Sequence, residues 1–428
     1  MRMKALALAS LVAACPWQAV AQPLVPGAVL SAPPSASTAP LTLAQVLDRA
    51  GESSPAVLTR QAQRTAVEGA RLEAGALLYN NPQLALDRSR RMLPAAPGQR
   101  EWSLGLSQTF ETGGQQGQRQ ALSEAGQSAW LAELDDARRT ARTGAAQAFF
   151  RVLALQQRAA LDEEALRTFD STAAAVAKRR QAGEDTRLDA NVAAAEAGRA
   201  RNQLAQSREA LADARADLAA LLRLPPSQAP EVSGDLAEGA QRVFVLADVL
   251  TALEAQPRLR AAAARESGAA AKVRLEQASR YPDLTVGLSS GREGASDARE
   301  RVNTVSVSLP LPLFRRNEAG IGQAVAEREQ ARLDLEFAQR EARAQAHSLS
   351  ARVSSLQDRV QRLQQQVLPA LLDNQQLSIK SQRAGQIGLL ELIVVQRQAL
   401  DGRRDLVDAL LELQTARLAL EALAGLNP

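Results

Sequence analysis

Few residues in this chain are of the types that carry out catalysis or hold a metal ion. The 428 residues include one Cys and one His, which excludes nearly every Cys/His metal site and every structural disulfide. Gly287–Gly291 fits the G-x-S-x-G pattern of a serine nucleophile, and His347 lies downstream. That nucleophile stands between a strand and a helix, whereas a polar segment and another strand-like segment follow here. The sequence therefore predicts neither an enzyme nor a bound cofactor or metal.

Two carboxylates stand at matched places in two similar segments. Ala182–Asp189 reads AGEDTRLD and Ala384–Glu391 reads AGQIGLLE, so Asp189 and Glu391 each follow a glycine by six residues. A glycine at such a place favours the end of one helix and a turn into the next. An acid just past the turn stabilises the N-terminus of the next helix by about 0.3–1 kcal/mol. A further role for the two carboxylates depends on where the surrounding helices and strands place the two segments.

These segments belong to a duplication that covers most of the chain. Leu43–Leu47 matches Leu246–Leu250, and matched segments follow in the same order at an offset between 200 and 203 residues. Such a constant offset is the signature of an internal repeat. It predicts a first structural repeat over residues 42–224, a linker over 225–241 and a second repeat over 242–428.

Each repeat has the same order of predicted elements. The first helix runs from about Thr42 to Leu78, with a break near Pro55. Two short segments follow in which apolar residues alternate with small polar ones, which indicates half-buried strands. The predicted strands are at about 83–90 and 101–110 in the first repeat, and at about 283–290 and 302–310 in the second.

Long helical segments follow the strands. Residues 116–181 contain no proline, and the second such segment continues past Pro369 to about Arg383. A helix of about 65 residues is roughly 100 Å long, far more than a globular domain needs. We expect one long helix per repeat, flanked by two shorter ones, with the hairpin turn at Gly183 or Gly385.

The predicted strands set a stronger constraint. Two hairpins give four strands, which cannot close a barrel, and lipid does not tolerate an open sheet edge. Two, three or four chains would each close a barrel, although a barrel of about eight strands is filled by its own side chains. Aromatic residues at one end of the strands would form either a girdle at the membrane interface or ordinary junction packing. They are Tyr79, Phe110, Tyr281 and Phe314.

The N-terminus predicts export from the cytoplasm. A charged start and the apolar stretch Ala5–Ala14 precede Ala19–Ala21, which fits a small-residue cleavage site. These features predict a signal peptide over residues 1–21 and a flexible lead-in over 22–41. Alternatively, Cys15 ends a lipoprotein processing box and would become a lipid-modified first residue.

The composition narrows the function further. Lys and Arg total 51 against 47 Asp and Glu, and Arg2 and Lys4 belong to the leader, so the remainder is close to neutral. No basic patch is indicated, and nucleic acid is not expected as a partner. The sequence contains no run of eighteen apolar residues, so it does not predict a transmembrane helix.

The chain resembles the TolC-type outer-membrane efflux proteins. The resemblance covers residues 42–428 and rests on the export signal, the duplicated helix–hairpin–long helix pattern and the two Ala-Gly-x-x-x-x-Leu-acid turns. Leu106–Arg119 (LSQTFETGGQQGQR) is similar to the strand-to-helix junction of the CzcC-like, cation-efflux branch. One departure is Gln116, which stands where that branch usually has a basic residue.

The resemblance implies a mainly helical fold with a small membrane β-barrel. Three identical chains would form a barrel of 12 strands in the outer membrane and an α-barrel in the periplasm. It implies a passive duct for small solutes, with heavy-metal cations as candidate cargo. The duct would dock onto a periplasmic adaptor and an inner-membrane pump of the RND type, in contact with outer-membrane lipid.

The same resemblance implies roles for the two matched segments. Asp189 and Glu391 fall where acids line the periplasmic constriction, and three copies of each would form a negative ring that favours cations. Arg187 is a candidate bridging partner for these acids. The residues expected to face the adaptor are Gly183, Glu184, Asp185, Thr186, Gly385, Gln386, Ile387 and Gly388.

Two kinds of alternative stay open at this point. The duct could serve a type I protein secretion system instead of a small-solute pump. A non-channel protein is the other alternative, either a periplasmic adaptor or a structural coiled coil. An adaptor would have one helical hairpin between β-rich lobes, and a coiled coil would not explain the strands.

Overall fold

The structure is a computed structural model that describes residues 40–93, 96–225, 230–293 and 299–425. The predicted signal peptide, Cys15 and nearly all of the lead-in lie outside these residues. The described part is mainly helical with one small sheet, as predicted. Within it, no helix combines the length and the apolar character that a membrane crossing requires.

The first repeat places a β-hairpin between short helices and a long helical hairpin. Pro55 begins a helix, because its missing N–H and fixed φ suit the first turn. A second break, at Gln63, was not predicted, because no proline or glycine marks it. The elements are α1 (Leu43–Ser53), α2 (Pro55–Ala62), α3 (Arg64–Ala74), β1 (Gln83–Leu93), β2 (Ala96–Phe110), α4 (Gln115–Gln181) and α5 (Arg187–Leu221).

The second repeat has the same order with different interruptions. Its first helical stretch is broken once, by a 3-10 turn over Leu253–Ala255 that ends before Pro257. The elements are α6 (Leu246–Ala252), α7 (Pro257–Ala278), β3 (Leu284–Glu293), β4 (Glu300–Ser308), α8 (Glu318–Arg362), α9 (Leu368–Arg383) and α10 (Leu389–Leu423).

The two long helices differ at a proline. α4 is one α-helix of 67 residues, which spans roughly 100 Å. In the second repeat a π-helical turn, Leu363–Val367, joins α8 to α9, and Pro369 follows within the first turn of α9. Proline removes one helical hydrogen bond and crowds the preceding turn, and a π turn absorbs that disturbance without ending the helix.

The strands form one antiparallel sheet in the order β1-β2-β3-β4, so the two hairpins lie side by side. One face is apolar, and one row of it crosses all four strands. Leu84 is opposite Leu106, Leu106 is opposite Leu288, and Leu288 is opposite Val305. These four side chains are 52–73% exposed, so no part of the described chain covers this face.

The other face of the sheet carries small residues. One of its rows consists of Ala85, Gly105, Ser289 and Thr304. The strands also extend further toward the hairpin loops than predicted. Polar residues continue the pairing there, for example Arg90 opposite Arg100, after the apolar alternation of β1 has stopped at Leu86.

The main hydrophobic core lies among the helices. Phe149 and Phe150 of α4 are about 1% exposed and contact each other edge to face, with ring centroids 5.4 Å apart. The segment after the first repeat packs here as well. Buried Gln414 of α10 donates to the backbone carbonyls of Leu236 and Glu238, each at 2.8 Å, which satisfies the buried side-chain amide of Gln414.

Candidate functional site

Two helical turns form the ends of the long hairpins. We call residues 182–186, between α4 and α5, the first tip, and residues 384–388, between α9 and α10, the second tip. Gly183 and Gly385 have φ of +82° and +70°, values that an L side chain adopts only with strain. Both tips close by the same two backbone bonds, so the predicted turn glycines end their helices in Schellman motifs. The N–H donors and carbonyl acceptors are Gly183 to Arg180 (3.0 Å), Glu184 to Arg179 (2.9 Å), Gly385 to Gln382 (3.1 Å) and Gln386 to Ser381 (2.9 Å).

Asp189 takes part in the start of α5. The backbone N–H of Asp189 donates to Thr186 Oγ1 at 3.1 Å. The carboxylate of Asp189 in turn accepts the Thr186 hydroxyl at 2.6 Å and the Thr186 N–H at 3.3 Å. This reciprocal arrangement is a capping box, which satisfies backbone donors that the helix leaves free. Within one chain, the carboxylate of Asp189 therefore serves the helix N-terminus.

The other charges of the first tip are distributed around it. Arg179 Nε donates to the Asp185 carboxylate at 2.8 Å and ties the end of α4 to the turn. Arg187 is exposed and forms no ion pair with Asp189 or with another described residue. The ion pair of the first tip therefore joins Arg179 to Asp185. The predicted pair between Arg187 and Asp189 does not form within one chain.

Glu391 stands at the equivalent place of the second tip without the equivalent contacts. Gly388 is the N-cap of α10 and has no side chain that could accept a hydrogen bond. The Glu391 side chain is exposed and has no hydrogen bond or ion pair among the described residues. The two matched acids therefore differ, because one is engaged at its helix end and the other is available.

Behind the tips, the two hairpins are joined by buried charges that sequence analysis missed. Asp162 of α4 is 1% exposed and accepts from Arg404 Nε of α10 at 2.9 Å. Its second oxygen accepts the hydroxyl of Ser207 of α5. A carboxylate without water is stable only when such partners replace its hydration.

A second buried acid repeats this arrangement closer to the tips. Glu196 of α5 is 7% exposed and accepts from Arg397 Nε of α10 at 2.8 Å. We call Asp162, Glu196, Arg397 and Arg404 the inter-repeat clamp. Arg403–Glu164 (3.2 Å) and Arg158–Asp408 (2.9 Å) are more exposed ion pairs beside it.

A small apolar cluster supports the clamp. Phe169 of α4 and Ile393 of α10 are 6% and 3% exposed, and they pack with Ala165 and Ala197. Each hairpin alone would leave these side chains in water. The second hairpin is therefore fixed against the first by both apolar and charged contacts.

Another charged cluster lies at the junction of the sheet and the helices. Arg119 contacts both carboxylate oxygens of Glu111 at 2.5 Å, and its guanidinium stacks on the Tyr79 ring at 3.9 Å. The hydrogen bonds that Arg119 donates to the Glu111 carboxylate raise the pKa of Arg119. Burial raises the pKa of Asp283 above its usual 3.8, and the charge of Glu111 adds to this.

The four aromatic residues predicted at this end of the strands are exposed. Their exposed fractions lie between 41% and 95%, so none is buried in junction packing. They are Tyr79, Phe110, Tyr281 and Phe314.

Charge is also segregated across the sheet. Cross-strand pairing places residues of one row on the same face, so the register assigns each charged side chain to a face. The small-residue face carries Asp87, Glu101, Glu293 and Glu300, and two of these bond to serines of the same face. The apolar face carries five of the six strand arginines, Arg88, Arg90, Arg100, Arg292 and Arg301, whereas Arg91, opposite Gln99, is in register with the small-residue face.

The motif that resembles a serine nucleophile has no catalytic geometry. Gly287–Gly291 lies wholly within β3, and the strand continues to Glu293 instead of turning into a helix. His347 lies in α8, outside the sheet. Among the described residues, no group of three or more His, Cys, Asp or Glu side chains is placed to hold a metal ion.

Comparison with known proteins relates the whole architecture to a family. The family model for outer membrane efflux proteins matches residues 46–222 and 249–426, one stretch in each repeat. Cobalt-zinc-cadmium resistance protein CzcC of Cupriavidus metallidurans is 25% identical over 395 residues, which are 92% of each chain. Pyoverdine export outer membrane protein OpmQ of Pseudomonas putida is 28% identical over 398 residues, covering 87% of this chain and 82% of OpmQ.

A solved structure has the same fold. The outer membrane protein VceC of Vibrio cholerae superposes with a TM-score of 0.74 at 20% sequence identity. The alignment covers 90% of this chain and 97% of VceC. The likeness therefore extends over most of both chains.

Proposed function

This chain belongs to the outer membrane efflux protein family, and we propose that three copies of it form a passive export duct. The resemblance predicted from the sequence is confirmed, and so is the location in the outer membrane with an extension into the periplasm. The family and the fold are those of channel proteins, not of enzymes. In the proposed duct, three sheets close a 12-stranded barrel and the helices form a periplasmic tunnel.

The unpaired edges and the exposed apolar face of the sheet are the main support for this proposal. Among the described residues, no strand pairs with the outer edge of β1 or of β4, and the apolar face is exposed along all four strands. Unpaired backbone groups and exposed leucines are both unfavourable in water, and open edges are unfavourable in lipid as well. Pairing β1 of one chain with β4 of the next satisfies the edges and turns the leucines toward lipid. The exposed aromatic residues at the junction would then form the predicted girdle.

The proposed lumen of this barrel is acidic. The small-residue face would line it, and its positions near the hairpin loops hold four acids, Asp87, Glu101, Glu293 and Glu300, against one arginine, Arg91. Three copies would surround the mouth with carboxylates, which attract cations and repel anions. This supports heavy-metal cations as cargo, as does the similarity to CzcC, a protein named for resistance to cobalt, zinc and cadmium. The similarity to OpmQ supports a small organic solute as the competing cargo.

At the periplasmic end, we assign the constriction to Asp189 and Glu391, with Arg187 as the basic residue beside them. Because Glu391 has no described partner and Asp189 caps a helix, Glu391 would contribute more of the negative potential. Glu391→Gln should therefore lower cation selectivity in planar-bilayer conductance more than Asp189→Asn does, and the double variant should lower it most.

The control for that experiment comes from α5 itself. Glu209 and Asp213 are exposed and have no ion pair among the described residues. Glu209→Gln combined with Asp213→Asn removes the same charge away from the tip and should leave selectivity unchanged. Equal effects of the two double variants, or no effect of either, would contradict the assignment of the constriction.

The tips would also bind the periplasmic adaptor that links the duct to an inner-membrane pump of the RND type. The proposed contact residues are the exposed turns, Gly183 to Thr186 and Gly385 to Gly388. A bulky substitution at Gly385 would strain the backbone as well as add bulk to the tip, whereas Gln386→Trp adds bulk to an exposed residue at negative φ. A bulky substitution at Gly385 and Gln386→Trp should each abolish export in cells, and Gln386→Trp should leave trimer assembly intact. Normal export by Gln386→Trp would contradict docking at this tip.

Assembly is the most direct test of the duct itself. The full chain, solubilised from the outer-membrane fraction, should migrate as a trimer on unboiled gels and as a monomer after boiling. It should also form conducting channels in planar bilayers. A water-soluble monomer without conductance would contradict the proposal and favour a non-channel periplasmic protein.

A further inference from the structure

The apolar face of the sheet ends in arginines. Arg88, Arg292 and Arg301 lie in one row with Trp102, directly beyond the rows that contain the leucines. Arg90 and Arg100 lie opposite each other in the next row toward the hairpin loops. We call these five residues the arginine band. All of them are exposed, and the acids of the strands lie on the opposite face.

The arginine band lacks its own counter-charge. Two like-charged pairs are directly opposite across strands, Arg90 with Arg100 and Arg292 with Arg301, and such pairs destabilise a sheet. None of the five arginines forms an ion pair with a described residue. Five of the six strand arginines are on the apolar face and all four strand carboxylates are on the other, so the arginine face favours an external anion.

The position of the band along the sheet indicates which anion it meets. Trp102 and Phe110 of β2 are on the apolar face and bracket a segment close to the 9–11 residues of a tilted membrane strand. Phe110 is at the end that leads into the periplasmic helices, so Trp102 and the arginine band are at the external end. Tryptophan at that level is typical of a membrane interface.

We propose that the arginine band binds the phosphate groups of lipopolysaccharide in the outer leaflet of the outer membrane. Guanidinium groups bind phosphate through paired N–H donors, which suits a phosphorylated glycolipid better than a lipid without charge. The acyl chains would lie along the leucine rows, next to the band. The inference rests on the proposed barrel, because only there does the apolar face meet lipid.

The test uses the full-length protein in detergent and bisphosphorylated lipid A as the probe. Thermal unfolding is followed while lipid A, dephosphorylated lipid A or phosphatidylglycerol is added. We expect lipid A to raise the Tm at lower concentration than either comparison lipid. The triple variant Arg88→Gln, Arg292→Gln, Arg301→Gln should weaken the lipid A effect by roughly fivefold per arginine, on the order of 100-fold in all.

The matched control removes three arginines from the helices. Arg167, Arg343 and Arg352 are exposed, have no ion pair among the described residues and lie roughly 40 Å or more along their helices from the sheet. Changing all three to Gln should leave the lipid A effect unchanged. Replacing the three sheet arginines by Lys should retain part of it, because the charge remains and the paired donors do not.

Several outcomes would overturn the inference. Equal stabilisation of the wild type by all three lipids would contradict phosphate binding, and equal effects of phosphatidylglycerol and lipid A would contradict the choice of lipopolysaccharide. Equal weakening in both triple variants would reduce the effect to net charge. If the wild type conducts as a trimer without preferring lipid A, this inference alone fails. If it forms neither trimer nor channel, the proposed function fails with it.

Discussion

The first and second tips have the same backbone and different side chains. Both close as Schellman motifs around a glycine at positive φ, and both are followed by an acid at the third position of the next helix. In the first tip Thr186 engages that acid in a capping box, and in the second Gly388 leaves it free. A duplicated turn can therefore keep its geometry while only one copy leaves its carboxylate without a described partner, as the proposed constriction requires.

The same asymmetry continues behind the tips. The inter-repeat clamp uses carboxylates of the first hairpin and arginines of the second. Counted from the tip glycines, Asp162 corresponds to Gln364 and Arg404 to Asn202, so the equivalent clamp cannot form in reverse. The two hairpins are therefore held together by charges of opposite sign, each sign supplied by one repeat.

Loss of the buried acid of the clamp should have the largest effect. Asp162→Ala leaves Arg404 and Ser207 without their shared buried partner, although Arg404 keeps Asp401 at 3.2 Å. We expect the free energy of unfolding to fall by about 3 kcal/mol, the lower end for a broken buried pair. Urea unfolding of the detergent-solubilised protein measures it. The control Glu164→Ala removes an exposed partner of Arg403 and should cost less than about 1 kcal/mol. Similar losses in both variants would show that burial of Asp162 is not what matters.

The backbone conformation that the two tips have in common predicts the second-largest loss of stability. Gly183→Ala and Gly385→Ala each place a Cβ at positive φ, with no described atom within 4 Å of it, so strain alone should cost about 1–2 kcal/mol. Thermal unfolding should show similar decreases for the two tips. The control Gly198→Ala, inside α5, should instead stabilise the protein, because alanine is the better helix former. A decrease at one tip only would mean that the two turns are not equivalent.

Structural features that depend on neighbouring residues could largely be predicted from the sequence, whereas contacts between residues far apart in the sequence could not. Turns, strands and the length of α4 follow from local patterns, and Gly183 and Gly385 were identified from their places in the repeat. The break at Gln63 was not, because its own residue type does not mark it. The clamp was missed as well, because Asp162 and Arg404 are far apart in the sequence and each resembles a solvated helix residue. The charge segregation on the sheet required the register between β2 and β3, which joins the two repeats.

Loss of the capping box should affect the first tip moderately. Thr186→Ala removes the oxygen that accepts the Asp189 N–H and the hydroxyl that binds its carboxylate. The expected cost is about 1 kcal/mol, the usual value of an N-cap, measured by thermal unfolding. Thr168→Ala is the control, because that hydroxyl only bonds a carbonyl of its own helix. An equal cost at Thr168 would contradict the special role of the cap.

The smallest effect should come from giving the second tip the cap that it lacks. Gly388→Ser supplies a hydroxyl at the N-cap of α10, where φ is −81° and no described atom crowds an added side chain. The segment then has the S-x-x-E pattern, so the Glu391 carboxylate can turn back to the N-cap N–H as Asp189 does in the first tip. We expect a gain of a few tenths of a kcal/mol in unfolding free energy and a partial loss of cation selectivity. Gly388→Ala adds similar bulk without the hydroxyl and should show neither change in that direction. If Gly388→Ser stabilises the protein and selectivity stays at the wild-type value, the free carboxylate of Glu391 is not the source of the selectivity.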